Sequence, residues 1–195
     1  MKALTLILAS SALCISACNR SDSSDETANQ DVTMADNGMG NGLDAGAMAA
    51  PAALPTTAPQ FVNAAAASDR FEIESSKLAQ NSGSSAAVKS FAQQMVAAHT
   101  ASTAKLKSTV AGMSPPLTPS DALNAEQQSL IASLQGKTGA DLDAAYAQAQ
   151  VTAHQRTLDM LNAYANGGDN PQLVNLAKGM IPTVTAHLNS AKGLK

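Results

Sequence analysis

The chain has 195 residues, with 12 basic and 15 acidic side chains and a formal net charge of −3. That mild acidity argues against nucleic acid as a partner, which calls for a basic face. Both cysteines, Cys14 and Cys18, fall near the start, so disulfides, thiol chemistry and Cys-based metal sites are excluded from the remainder.

Residues 1–17 begin with Lys2, continue with an apolar stretch from Ala3 to Ile15, and end in small residues. This is the order of a secretory signal, and the stretch is too short to cross a bilayer as a stable helix. Ile15-Ser16-Ala17-Cys18 resembles the lipobox of bacterial lipoproteins, in which the cysteine is lipidated and becomes the first mature residue. The resemblance implies lipid on Cys18, attachment to a membrane, and a periplasm-facing protein of the bacterial envelope. Asn19 favours the outer membrane, because aspartate at that place commonly signals inner-membrane retention in enterobacterial lipoproteins. An ordinary signal peptide with a chance cysteine is the alternative.

Residues 18–58 then read as the lipidated cysteine and a disordered tether. After Cys18 the segment has no aromatic residue, and Asp22, Asp25, Glu26, Asp31, Asp36 and Asp44 face a single base, Arg20. Such a stretch buries too little apolar surface to offset its ordering entropy. About 40 flexible residues span roughly 35 Å root-mean-square. Met34, Met39 and Met48 are either a soft copper-binding tract or scattered methionines in low-complexity sequence.

From Pro59 onward apolar residues recur at intervals of three and four, so residues 59–195 are expected to form a helical domain. A first helix runs from Pro59 to Gln80, broken by Asn81-Ser82-Gly83. Ser84 or Ser85 caps a second, which reaches Ala111. Three prolines between Gly112 and Pro119 make a connection. Ser120 caps a short third helix to Leu134, and Thr138 opens a fourth through Ala165, ended by Asn166-Gly167-Gly168. Asp169 caps a last helix over 170–194, in which Pro182 should kink or loosen a turn. The expected fold is all-α: a four-helix bundle with one additional short helix.

The inward stripes carry the only chemistry of the interior. Val88, Phe91, Met95, His99, Leu106 and Val110 share one side of the second helix. Ala147, Val151, His154, Leu158 and Leu161 share one side of the fourth. Leu173, Leu176, Met180, Val184, His187, Ala191 and Leu194 line the last. All three histidines of the chain therefore fall on apolar faces. At 100° per residue, Glu72 lies about 20° from Phe61 and Ala79 and points inward, whereas Glu74 lies about 140° away and should be solvated. A buried glutamate costs several kcal/mol unless it is paired or ligating.

Four segments occur together in a recognisable order: Phe71-Glu72-Ile73-Glu74…Lys77-Leu78-Ala79, Val88…Phe91-Ala92-Gln93-Gln94-Met95…His99, Leu142-Asp143…Tyr146…His154-Gln155, and Ile181-Pro182-Thr183…His187-Leu188. Over residues 59–195 the chain resembles domain-of-unknown-function family 4142. The resemblance implies a ferritin-like bundle in a bacterial exported protein and leaves the biochemical function open. Members usually carry an aspartate directly before the histidines that here are His99 and His154, where this chain has Ala98 and Ala153.

Two functional readings follow. In one, the protein is a non-catalytic binding or structural module of envelope maintenance or stress tolerance, with an envelope protein as partner and the histidines hydrogen-bonded in the core. In the other, Glu72, His99, His154 and His187 hold a transition metal, since a carboxylate and three imidazoles suit zinc, copper or iron. The paired Glu-x-x-His motifs of ferritin-like carboxylate centres are absent, which argues against ferroxidase chemistry. No nucleophile elbow or phosphate-binding glycine loop marks an enzyme. Depth bears on the metal reading. If both helix hairpins turn at the same end, Glu72, His154, His99 and His187 lie about 16, 20, 25 and 29 Å from it, at 1.5 Å per residue. Four residues so spread are not expected to meet in one site, although staggered helices would still let two or three of the histidines meet.

Overall fold

A computed structural model describes residues 53–194. The signal segment 1–17, Cys18, and the tether up to residue 52 with Met34, Met39 and Met48 lie outside the described residues. Five helices form among these residues: α1 (Ala58–Ser82), α2 (Ala86–Ala111), α3 (Ala125–Leu134), α4 (Gly139–Gly167) and α5 (Pro171–Lys192). Among the described residues no strand forms, and no helix is long and apolar enough to cross a membrane. The all-α expectation holds.

Local chemistry explains where the boundaries moved. Ser85 caps α2 by accepting from the Val88 N–H at 3.4 Å, and Thr138 precedes α4 as expected. The third helix starts later than Ser120. Asn124 accepts from the Gln127 N–H at 2.9 Å while Gln127 accepts from the Asn124 N–H at 3.0 Å. This reciprocal box satisfies two otherwise orphaned donors. Ser120 instead donates its N–H to Asn63 Oδ1 at 2.8 Å, tying the connection to α1. At α5 the cap is Asn170, which accepts from the Gln172 and Leu173 N–H groups. Asp169 is occupied by the Tyr164 hydroxyl, which donates to it at 2.8 Å. Pro182 sits on an exposed position within a single α5 and does not divide it.

The two hairpins do not turn at the same end. Gly83, at the α1–α2 turn, forms a bridge with Gly139, the first residue of α4. Asp143, one turn into α4, accepts from the Ser84 N–H and hydroxyl and from the Ser85 N–H, at 3.1, 2.6 and 2.8 Å. The α1–α2 turn is thus fastened to the start of α4, whereas the α4–α5 turn lies at α4's far end. The segment 112–138, including α3, carries the chain back along the length of the bundle. One long crossover between two antiparallel hairpins is the connectivity of ferritin-like folds.

Two apolar clusters fill the bundle. One holds Phe61, Leu106, Leu161, Tyr164 and Leu173, with the Phe61 and Tyr164 rings stacked at 4.1 Å. The other holds Phe71, Phe91, Met95, Leu142 and Tyr146, and α3 adds Ile131 and Leu134 to it. The third helix is therefore part of the bundle's packing against α1 and α4. The buried stripe of α4 is rotated from the expected one: Tyr146, Gln150, His154 and Leu161 are buried, and Ala147, Val151 and Leu158 are half-buried. The rotation follows from polar tips that find partners inside. The Tyr146 hydroxyl meets Ser76 Oγ at 2.8 Å, and Gln150 Nε2 donates to Ser75 Oγ at 3.2 Å.

Candidate metal centre

Between the apolar clusters lies a polar layer built from four helices. α1 contributes Asp69 and Glu72, three residues apart and so on one face; α2 contributes His99, α4 Gln150 and His154, and α5 His187. All except His187, which is half-buried, are buried. The end-to-end connectivity brings them level. Measured from the end where Gly83 meets Gly139, at 1.5 Å per residue, Glu72, His99, His154 and His187 lie about 16, 21, 22 and 18 Å deep. The expected spread in depth rested on placing both hairpin turns together, and the bridge between Gly83 and Gly139 replaces it with a level arrangement, in which the three histidines meet while Glu72 stays outside their group.

The three imidazoles converge. Their ring centroids are 5.8, 5.8 and 5.5 Å apart, and one nitrogen from each lies within 4.8 Å of the others. Hydrogen bonds fix two of the tautomers. His99 Nδ1 is 2.8 Å from Asp69 Oδ1, a carboxylate oxygen that can only accept. His154 Nδ1 is 2.9 Å from the Gln150 carbonyl oxygen, which likewise can only accept. Each ring therefore donates from Nδ1 and leaves Nε2 to carry a lone pair when neutral. Those atoms, His99 Nε2 and His154 Nε2, are buried without a hydrogen-bond partner, as is His187 Nδ1. Buried polar atoms are ordinarily paired. The three rings thus each hold one buried nitrogen without a partner and bring nitrogens within 4.8 Å of one another, with two rings held through the opposite nitrogen, which makes them a candidate ligand set. Tetrahedral ligation at about 2.1 Å calls for separations of about 3.4 Å, shorter than the 4.8 Å within which the nitrogens lie.

Glu72 stands beside this group and not within it. Its Oε1 is 3.5 Å from His154 Nδ1, the ring nitrogen already donating to Gln150, and neither carboxylate oxygen has a hydrogen-bond partner. Burial pushes its carboxyl up to about 7, against the charge of His99 and the nearby Gln150 amide, with Asp69 adding to the rise. His99 moves the other way from an ordinary buried imidazole. Burial lowers it, but the Asp69 hydrogen bond and the charges of Glu72 and Asp69 outweigh that and leave it raised. Burial brings His154 down to about 3 and also lowers His187, with the charge of His99 acting the same way on both.

The four residues singled out in the sequence thus occupy one layer, with three converging and the fourth adjacent. Asp69 and Gln150 were missed. The signal for Asp69 was present: at position i−3 from Glu72 it shares the inward face by the same 100° arithmetic. It supplies the carboxylate next to His99 that Ala98 cannot.

Among curated proteins none matches this chain. Among solved structures the chain is similar to "CopM in the Cu(II)-bound form", with 12% identity, a TM-score of 0.57, and coverage of 70% of this chain and 94% of that one. At that identity the likeness speaks for the helical fold. The family model described as "Domain of unknown function (DUF4142)" matches residues 43–194, and the chain belongs to that family.

Proposed function

We propose that this protein binds a transition-metal ion through His99 Nε2, His154 Nε2 and His187 Nδ1, with copper(II) as the preferred ion. One observation carries the reading: the three histidines bring ring nitrogens within 4.8 Å of one another inside the bundle, and each ring has one buried nitrogen without a partner. Imidazole donors suit copper, zinc, iron and nickel, and among divalent ions the affinity order peaks at copper. The copper-bound form named for the structural neighbour is consistent with that choice. Neutral imidazoles bring no charge, so the buried Asp69 and Glu72 carboxylates are the groups that balance a divalent cation in a low-dielectric interior. Glu72 acts there as charge partner and not as a ligand. The role is one of binding and holding a metal in the cell envelope, with lipid on Cys18 as the anchor. The Ile15-Ser16-Ala17-Cys18 sequence supports that placement, and Cys18→Ser should release the protein from the membrane fraction.

Calorimetric titration of the full chain with copper(II) and zinc(II) tests the metal reading. One ion per chain should bind, copper more tightly, and a His99→Gln, His154→Gln variant should lose it. Binding no stronger than to that variant would end the proposal.

A partner-binding role in envelope maintenance or stress tolerance is the second reading. A cleft of about 810 Å³ beside α1, α3 and α4, lined by Leu54, Ala64, Leu130, Arg156 and Met160 among others, favours it. Leu54 is the exposed large hydrophobic residue of the described chain. Cells carrying either the histidine variant or Met160→Glu separate the two readings, because an envelope-stress defect should follow whichever site carries the function.

A further inference from the structure

Three protein nitrogens leave at least one coordination position of a bound metal to be filled. Two features compete for it: the Glu72 carboxylate on the α1 side, and a cavity of about 210 Å³ on the α2–α5 side. That cavity is lined by His99 and His187 together with Ser102, Lys105, Met180 and Thr183, but by neither His154 nor Glu72. It therefore abuts the histidine group from the face opposite α1.

The opening has a local cause. α2 presents Ala98, Ala101 and Ser102 to this seam, side chains too short to reach α5. The α2–α5 contact is the sparsest between neighbouring long helices of the bundle. His187, the one half-buried member of the triad, forms part of its wall. The space holds several molecules the size of water, each taking about 30 Å³ in the liquid. Lys105 is the charged residue of its lining other than the histidines, so the approach is positive. Glu72 is placed badly for the same position, because its oxygen lies against His154 Nδ1, whose N–H points away from the Nε2 lone pair.

We propose that the open position of the bound metal faces the α2–α5 seam and takes a small anion that enters there. This rests on the reading of the three histidines as metal ligands. The anion donates a lone pair to the metal and displaces water, with no change of oxidation state. Such a centre is open to exchange, unlike a closed structural site in which protein side chains fill every position.

The test uses the full chain loaded with one equivalent of copper(II) and titrated with sodium azide, read by the azide-to-copper charge-transfer absorption. A saturable band with one azide per copper is expected. Ser102→Phe, which fills the cavity, should weaken azide at least tenfold while copper affinity stays within threefold; Ala101→Leu serves if that variant fails to fold. Failure of copper to bind would overturn the metal reading and this one together. Copper binding without an azide band would overturn this inference alone, as would an azide affinity indifferent to a filled seam. An azide band seen only in Glu72→Gln would assign the position to Glu72 and overturn the inference as well.

Discussion

Asp69 of α1 accepts a hydrogen bond from His99 Nδ1 of α2 at 2.8 Å, and its second oxygen accepts from the Thr103 hydroxyl at 3.1 Å. The carboxylate thereby holds the ring through Nδ1 and leaves Nε2 as its buried, unpartnered nitrogen. Asp69→Asn keeps the shape but presents an amide that can turn its NH₂ to the ring and favour the opposite tautomer. Loss of such an orienting partner typically costs 10- to 100-fold in metal affinity. Calorimetry on Asp69→Asn should show a loss in that range while the helical circular dichroism is unchanged; full affinity would mean that the pairing does not orient the ligand.

The buried Glu72 makes the metal-free protein sensitive to alkali. Its carboxyl rises from 4.5 to about 7 on folding, so its favourable contribution is whole below 4.5 and lost as pH rises through 7. His154 has the opposite sign: held at about 3 against 6.5 unfolded, it contributes fully above 6.5 and loses that as pH falls through 3. Between 4.5 and 6.5 the two slopes oppose each other. Urea unfolding in the presence of a chelator should find Glu72→Gln more stable than the parent at pH 8 by about 3 kcal/mol. The difference should shrink toward zero near pH 4.5.

Asp143 is the fastening between the hairpins. Burial works to raise its carboxyl, but the Ser84 hydroxyl and the Ser85 and Ser84 N–H groups, with the Lys89 charge, hold it below the usual carboxylate range. Asp143→Ala removes an ionised acceptor from donors near a helix start. Hydrogen bonds to charged groups contribute about 1.5–3 kcal/mol each and do not add fully. Denaturant unfolding at pH 7 should give a loss of about 3 kcal/mol. Below the pKa of Asp143 the parent should lose most of its advantage.

Gly83 has ordinary backbone angles, so its requirement for glycine is one of space. A Cβ there would stand 2.6 Å from the Ala79 carbonyl oxygen and 2.6 Å from Asp143 Oδ1. The first is backbone of the helix it terminates and cannot swing aside. Overpacking of this kind costs about 1–3 kcal/mol. Gly83→Ala should fall in that interval by thermal or urea unfolding, and should be largely non-additive with Asp143→Ala, because both disturb the same joint.

The helices were legible because their apolar residues recur every three or four positions and their ends carry Pro, Ser, Asn and Gly. The inward placement of Glu72 came from the same periodicity. Capping was harder to assign where two residues compete, as with Ser120 against Asn124 and Asp169 against Asn170. There the decision lay with partners outside the cap itself, the distant Asn63 and the Tyr164 of the preceding helix. The convergence of the histidines was hidden for a different reason. Rotation about a helix axis is written in the sequence spacing, but which ends of two hairpins lie together depends on how a long connection is routed. The 112–138 segment allows either arrangement by length alone. The bond from Asp143 to the α1–α2 turn decides it, and no local pattern announces that bond.

The polar layer has a consequence beyond any ligand. It lies between two clusters of mainly aliphatic and aromatic side chains. Sliding one helix by a single turn, about 5.4 Å, would carry Glu72 or a histidine into hydrocarbon and bring a leucine or phenylalanine opposite the remaining polar groups. The apolar clusters alone, rich in alanine, would tolerate such a slip. The layer does not, and so it acts as the key that sets the axial register of the helices and makes a single alignment far lower in free energy than its neighbours.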